Sequence, residues 1–371
     1  MNEIFQGAIT IFLFFFILGA LVLVHELGHF VTARMAGVRV LEFGIGFPPR
    51  AKVLRTKGET LYTLNWLPIG GFVKLEGEDG DDGNDPRSFV RARLPVKLVI
   101  LAAGVLMNLI VALAIFTLIA WLATPVIGIR FPAVDPGSPA AVAGLKPGDA
   151  IVSINDTTYE YFNGDRLLED LRSLAGQTVR LRVDRATGAD GEITVTLRTP
   201  AEVAANKGAL GIKTTDAQPF FETHFTGQYT GRPLPDAIGI GVSETFRWFG
   251  LILGGLGDLA RDFVANPTAP PAVSGPVGIA TQIGQVFFGV GPIMTLYVAG
   301  ILSANLALVN ALPFPPLDGG RFLMINLKAL FGTRISLRAE RLTYVVGMVF
   351  LFAFLIWVTG FDLLRILGGG T

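Results

Sequence analysis

The residues best placed to do chemistry are His25-Glu26-Leu27-Gly28-His29. On a helix, positions i and i+4 share a face. Both imidazoles can therefore hold one metal ion while Glu26 reaches a water on that metal, the pattern of metal-assisted hydrolysis. The chain has three histidines and no cysteine. Thiol nucleophiles, thiolate metal sites, iron–sulfur clusters and disulfide scaffolds are thus excluded, and any imidazole site must use this pair. The bland alternative is two packed histidines in a membrane helix. It would set three ionisable groups beside hydrocarbon, which is costly unless they serve a site.

A catalytic zinc takes three protein ligands and leaves one position for water. The remaining imidazole, His224, falls in a segment expected on the far side of the membrane from the loop after His29, which favours a carboxylate. Asp318 is the candidate, in Asn310-Ala311-Leu312-Pro313-Phe314-Pro315-Pro316-Leu317-Asp318-Gly319-Gly320 at the end of a later apolar run. The three prolines there break a helix, and broken backbone at membrane depth survives only where protein or a water-filled cavity satisfies it. Two structural readings stand beside this. Asp318 could cap a helix beginning near Arg321, and Asn310 could be an interhelical hydrogen bonder.

Composition points to the membrane as the frame for these residues. Hydrophobic residues make up 51% and charged residues 16% of the 371, against about 25% charge in an ordinary soluble domain. The 30 basic and 30 acidic residues cancel, which removes the electrostatic footprint of a nucleic-acid-binding chain. Phe5 to Val24 is long enough to cross a bilayer. It lacks the basic start and small-residue cleavage site of a signal peptide, the competing reading. Leu98–Leu122, Pro292–Leu312 and Val345–Gly360 complete four expected spans. Basic residues gather between the first two spans, Arg34 to Lys97, and between the last two, Arg321 to Arg341. The positive-inside rule then puts those loops in the cytoplasm and both termini, with the long central segment, outside.

That central segment alternates like a small sheet domain over Val126–Phe131, Ala150–Asn155, Val179–Arg185, Glu192–Arg198 and Leu210–Thr214, with an amphipathic helix over Gly164–Leu174. The run Gly137-Ser138-Pro139-Ala140-Ala141-Val142-Ala143-Gly144-Leu145-Lys146-Pro147-Gly148-Asp149 resembles the bacterial type of PDZ domain. Gly208-Ala209-Leu210-Gly211-Ile212 resembles its carboxylate-binding loop, so Leu210, Gly211 and Ile212 are expected to receive a peptide C-terminus. A plain turn followed by a strand is the alternative there. Pro235–Asp262 mixes apolar and charged residues and reads as a helix in the membrane interface.

The His25–His29 motif in a first span, the Asn310–Gly320 motif in a later one and a PDZ-like insert between them together resemble the site-2 protease family of intramembrane zinc metalloproteases. Within it the likeness is to the bacterial sigma-E-regulating type, with one PDZ domain here in place of two. Phe43-Gly44-Ile45-Gly46-Phe47-Pro48 and Leu67-Pro68-Ile69-Gly70-Gly71-Phe72-Val73-Lys74 are similar to that family's membrane-associated β-hairpins. Ser274-Gly275-Pro276-Val277-Gly278-Ile279-Ala280 resembles the segment before its third span. Gly104-Val105-Leu106-Met107-Asn108 resembles its G-x-x-x-N pattern, although close helix packing alone would account for Gly104. The resemblance implies a Zn2+ cofactor held by His25, His29 and Asp318, Glu26 as the catalytic acid/base, and Asn310 on the substrate backbone or developing oxyanion. It also implies single-span membrane-protein substrates, such as an anti-sigma factor already trimmed by a site-1-type protease, or a remnant signal peptide. The hairpin residues Gly70, Gly71, Phe72 and Val73 are expected to offer a strand edge to an unwound substrate.

The architecture expected from all this is a polytopic α-helical protein of a bacterial cytoplasmic (inner) membrane, with about four transmembrane helices, membrane-associated β-hairpins and one inserted PDZ-like α+β domain. Residues 1–123 hold the first two spans, 124–215 the PDZ-like domain, 216–290 an interfacial segment and 291–371 the last two spans. Two other function classes fit parts of the pattern. A divalent-metal transporter would use the His/His/Asp site, but the chain has no matching inverted halves. A membrane-tethered PDZ scaffold would carry a vestigial metal site.

Overall fold

The computed structural model describes residues 3–78, 85–164, 166–188, 190–205, 207–213, 223–266, 268–271, 273–332 and 336–367, with the side chains of 68, 69 and 337 excepted. The chain forms two compact units, one of Met1–Thr117 with Gly241–Thr371 and the other of Leu118–Ile240.

Helix α1 runs Glu3–Met35 without interruption. It passes Val24, where the apolar run ends, because no proline intervenes before Met35 and Gly28 alone does not stop a helix that is packed on a neighbour. His25 and His29 therefore ride on the same rigid helix as the membrane span, and both are buried. Strands β1, Val40–Lys57, and β2, Thr60–Leu75, follow. They pair antiparallel with several register breaks, so that residues 42–45 meet both 61–64 and 71–74 of β2. The ribbon thus doubles back near Gly70, whose φ of +76° suits glycine. Helix α2 is Leu94–Leu122. A methyl group on Gly28 would lie 2.5 Å from the Ala103 carbonyl oxygen of α2, so the missing side chain sets how closely α1 and α2 approach.

The second unit begins as α2 ends. Its elements are β3 Thr124–Arg130, β4 Ala133–Val134, α3 Pro139–Val142, β5 Ala150–Ile154, β6 Thr157–Glu160, α4 Arg166–Ser173, β7 Thr178–Asp184, β8 Gly191–Thr196, α5 Pro200–Ala204, β9 Ile212–Lys213 and β10 Thr223–Thr230. Six strands form one sheet in the order β10-β3-β6-β5-β7-β8. Alternate residues of β7, Val179, Leu181 and Val183, are buried with Leu167 and Leu171 of α4, which is the period-2 and i,i+4 patterning seen in the sequence. Strands β6 and β10 were not expected. β6 alternates too weakly over four residues, and β10 is recruited by pairing with β3, which carries the sheet to Thr230. Thr214 and Thr215, the expected ends of the last strand and of the domain, lie outside the described residues.

The chain returns through α6, Leu234–Ala265, in place of the shorter interfacial helix expected. α7, Pro276–Gly289, opens at the Ser274–Ala280 motif and had no counterpart among the expected helices. α8, Pro292–Ala311, is the most enclosed apolar helix, burying Tyr297, Ser303, Ala304 and Ala307. α9, Asp318–Phe331, and α10, Leu337–Leu367, complete the unit. Among the described residues, α1, α2, α8 and α10 are the four helices long and apolar enough to cross a membrane, as the composition required.

Candidate metal centre

α1 turns the Nε2 atoms of His25 and His29 toward each other at 3.2 Å. The third group arrives from 289 residues away. Asp318 Oδ2 lies 2.9 Å from His25 Nε2 and 3.1 Å from His29 Nε2. Asp318 does not sit on the third span, where the sequence placed it. α8 stops at Ala311, the proline-rich turn crosses over, and Asp318 opens α9 one residue after the N-cap Leu317. That Leu317 holds the cap frees the carboxylate for the histidines, so the capping alternative does not describe it.

The two glycines after Asp318 have a steric purpose. A methyl on Gly319 would stand 2.3 Å from the Ala311 carbonyl oxygen, and one on Gly320 2.5 Å from the Pro315 nitrogen. Only with both side chains absent does the first turn of α9 press onto the proline-rich turn and bring Asp318 down to α1. Gly104 of α2 faces the site from the other side, where a methyl would lie 2.4 Å from His29 Nε2 and 2.7 Å from His25 Cε1. Gly104 is thus a wall of the site, beyond the packing role that its sequence context required.

The donor atoms of His25, His29 and Asp318 all fall within 4.8 Å of one another. Two neutral imidazoles and a carboxylate are the donor set of a catalytic zinc that keeps an open position, and the space that a Gly104 methyl would fill is left clear, so the residues fit the ion. The His29 tautomer is constrained from behind. His29 Nδ1–H donates to the Ile100 carbonyl at 2.8 Å, which leaves Nε2 as the lone-pair nitrogen.

Glu26 lines the same cavity, of about 150 Å³, with His29, Asp318, Gly71, Phe72 and Val73. Its Oε2 accepts a hydrogen bond from the Val73 backbone N–H at 3.1 Å. Among the described residues the stretch 71–75 pairs only with β1, and Gly71, Phe72, Val73 and Leu75 line the cavity. Arg321, one turn beyond Asp318 on α9, pairs with Glu78 at the cavity wall. The Ile100 carbonyl, the Val73 N–H and the Glu78–Arg321 pair escaped the sequence reading. Backbone groups carry no sequence signal, and Glu78 and Arg321 are 243 residues apart, too far for local spacing to announce their pairing.

Asn310, an expected position, lies elsewhere, and so does His224, which the sequence sets aside. Asn310 is half-buried in the last turn of α8 and is not part of the cavity lining around Glu26. His224, on β10, pairs through Nε2 with Asp184 at 2.7 Å, so it takes no part among the three ligand groups. In the second unit, Leu210 points into the core. The carbonyls of Leu210 and Gly211 accept from the Ala140 and Asp135 N–H groups at 3.0 and 2.9 Å.

Sequence comparison now adds to this geometry. Residues 13–354 match the profile of peptidase family M50. The chain belongs to peptidase family M50. It is 30% identical over 380 residues to a Brucella suis protein whose name assigns it to the zinc metalloproteases, with 95% of each chain covered. It is 28% identical over 437 residues to the zinc metalloprotease RasP of Geobacillus kaustophilus, covering 95% of this chain and 97% of that one. A Nostoc protein, also named among the zinc metalloproteases, shares 31% over 351 residues and 90% of each chain. This M50 chain is a zinc-dependent metalloendopeptidase of the site-2 protease type, an integral membrane protein acting on membrane-protein substrates.

Proposed function

We propose that His25, His29 and Asp318 hold the zinc of this M50 peptidase, that Glu26 is its catalytic acid/base, and that the bonds cut lie within single-span substrates. The observation that carries the reading is the convergence of three ligand atoms within 4.8 Å, two of them, from His29 and Asp318, beside the cavity that Glu26 also lines. When bound, zinc lowers the pKa of a water toward about 7 and polarises the carbonyl under attack. Glu26 would take the proton of the attacking water and return it to the leaving amine, its carboxylate oriented by the Val73 N–H. Gly104 keeps the approach to both rings clear.

A substrate helix has its amides paired internally and must unwind before attack. In our reading, the edge formed by Gly70, Gly71, Phe72 and Val73 receives the unwound segment by strand addition, next to Glu26. Asn310 contributes from the end of α8 once substrate is present. The residues 124–215 act as a PDZ-like domain that takes peptide C-termini at Leu210, Gly211 and Ile212. Since the Leu210 side chain is in the core, that recognition would use backbone N–H groups. Beyond the sheet, which β10 carries to Thr230, α6 follows as an interfacial element. With both termini and this domain outside and the basic loops in the cytoplasm of a bacterial inner membrane, the natural substrates are anti-sigma factors trimmed by a site-1-type protease, or signal-peptide remnants.

The test is cleavage of a model transmembrane substrate by the purified protein in detergent. Wild type is expected to cut within the span, Glu26→Gln to be inactive with zinc retained, and chelation to be reversed by zinc. Equal cleavage by Glu26→Gln would overturn the acid/base assignment. Zinc binding at one equivalent without cleavage of any substrate would favour metal transport, to be followed as flux in liposomes.

A further inference from the structure

His29 and His25 belong to the same cluster of ligand groups, but their outer nitrogens are served differently. His29 Nδ1–H has the Ile100 carbonyl. His25 Nδ1 faces the side chain of Asn108, at 3.4 Å from Nδ2. Asn108 is wholly buried, at 0% exposure, and its Oδ1 has no hydrogen-bond partner among the described residues. A nitrogen that must offer a lone pair to a metal at Nε2 carries its proton at Nδ1 and needs an acceptor there. A half-turn of the Asn108 carboxamide exchanges Nδ2 and Oδ1 within the same volume. It would supply that acceptor at Oδ1 and place Nδ2 where the unpartnered oxygen stood.

We infer that Asn108 is the positioning residue of His25, accepting Nδ1–H through Oδ1 so that Nε2 presents its lone pair beside His29 and Asp318. The Asn108 backbone carbonyl is itself fixed by Ser303 Oγ–H of α8 at 2.8 Å, so this turn of α2 is held in place while its side chain faces α1. The inference rests on His25 being a zinc ligand.

Zinc affinity of the full chain in detergent, measured by competition with a chromophoric chelator, tests both. Asn108→Leu keeps the volume without an acceptor and is expected to weaken zinc binding about 10- to 100-fold. Asn108→Asp keeps an acceptor oxygen and should stay within about threefold of wild type. In zinc-loaded protein with 15N-labelled histidine, the His25 Nδ1–H proton is expected to be protected from exchange in wild type and Asn108→Asp, and unprotected in Asn108→Leu. Wild-type zinc affinity in Asn108→Leu, or an unprotected His25 Nδ1–H in wild type, would overturn the positioning role. If Asn108→Leu fails to fold, the proton measurement on wild type and Asn108→Asp still decides. His25→Ala separates the two ideas. If it binds zinc as tightly as wild type, the ligand assignment itself falls. If it loses zinc while Asn108→Leu does not, the ligand stands and only the role of Asn108 is lost.

Discussion

In the Leu118–Ile240 unit the fully buried side chains are Phe131, Ile151, Leu167, Leu181 and their neighbours, whereas the other unit, besides apolar residues such as Ile100 and Tyr297, buries His25, His29, Asn108 and Ser303 and exposes Phe12, Phe16, Val349 and Phe350. The first pattern is that of a domain folding in water, where each buried large side chain contributes roughly 1.5–3 kcal/mol. The second belongs to helices in lipid, where apolar side chains gain nothing by turning inward and close contact must come from small residues and hydrogen bonds. The difference teaches where each unit is fragile. One fails by losing volume from its core, and the other by gaining a single atom at a helix crossing.

The largest effect is expected at the ligand set. Asp318→Ala should reduce zinc affinity by at least about 100-fold, beyond what losing an outer hydrogen bond to a ligand costs, and abolish cleavage. Thermal unfolding of the sheet unit should stay unchanged, and equilibrium dialysis against zinc with a cleavage assay checks both halves. Gly104→Val comes next. A branched side chain placed where even a methyl would lie 2.4 Å from His29 Nε2 should lower zinc affinity about 10- to 100-fold, the range for disturbing a ligand's surroundings. Gly7→Val, with open space around it, serves as the control and should bind zinc normally. Equal behaviour of the two glycines would break the comparison.

Leu181→Ala probes the other side. It empties a fully buried position and should cost about 2–5 kcal/mol, seen as early protease sensitivity of the sheet unit, with zinc stoichiometry retained. The smallest effect concerns acid. Burial of Asp149 works against its ionisation, but the Ala186 and Lys146 N–H groups and the Arg185 guanidinium outweigh it and hold the carboxyl below the usual range. A depressed acid contributes stability that is complete above its unfolded pKa, near about 3.9, and is lost as pH falls through the lower folded value. The sheet unit should therefore melt at a steady temperature at neutral pH and lose stability on acidification below about pH 4. Asp149→Asn should flatten that acid limb, as thermal scans against pH would record.

The readable part of the site was the part that local periodicity controls. Residues four apart on an apolar helix share a face wherever that helix goes, so the His25–His29 pair could be read directly. The Asn310–Gly320 motif announced a broken helix with a carboxylate, but its glycines and prolines said only that the chain bends there. Strand β6 was missed because four residues in a hairpin with β5 are too few to show alternation, whereas β10 and helix α7 take their pairing and packing from distant partners: β10 lies beside β3, and α7 begins where Asp362 of α10 accepts the Gly278 N–H at 2.8 Å.

By itself the sequence determined that this protein spans a membrane, carries two imidazoles and a glutamate on one helix, and has no thiol with which to do other chemistry. Lipid as solvent and the helical repeat act within a few residues, so composition and spacing suffice for those conclusions. Tertiary structure alone decided how Asp318 is carried to the pair on the first turn of α9, that Gly104 must stay bare, and that Val73 meets Glu26. Each of those outcomes depends on two segments approaching within a few ångströms, a distance set by the packing of whole helices and strands.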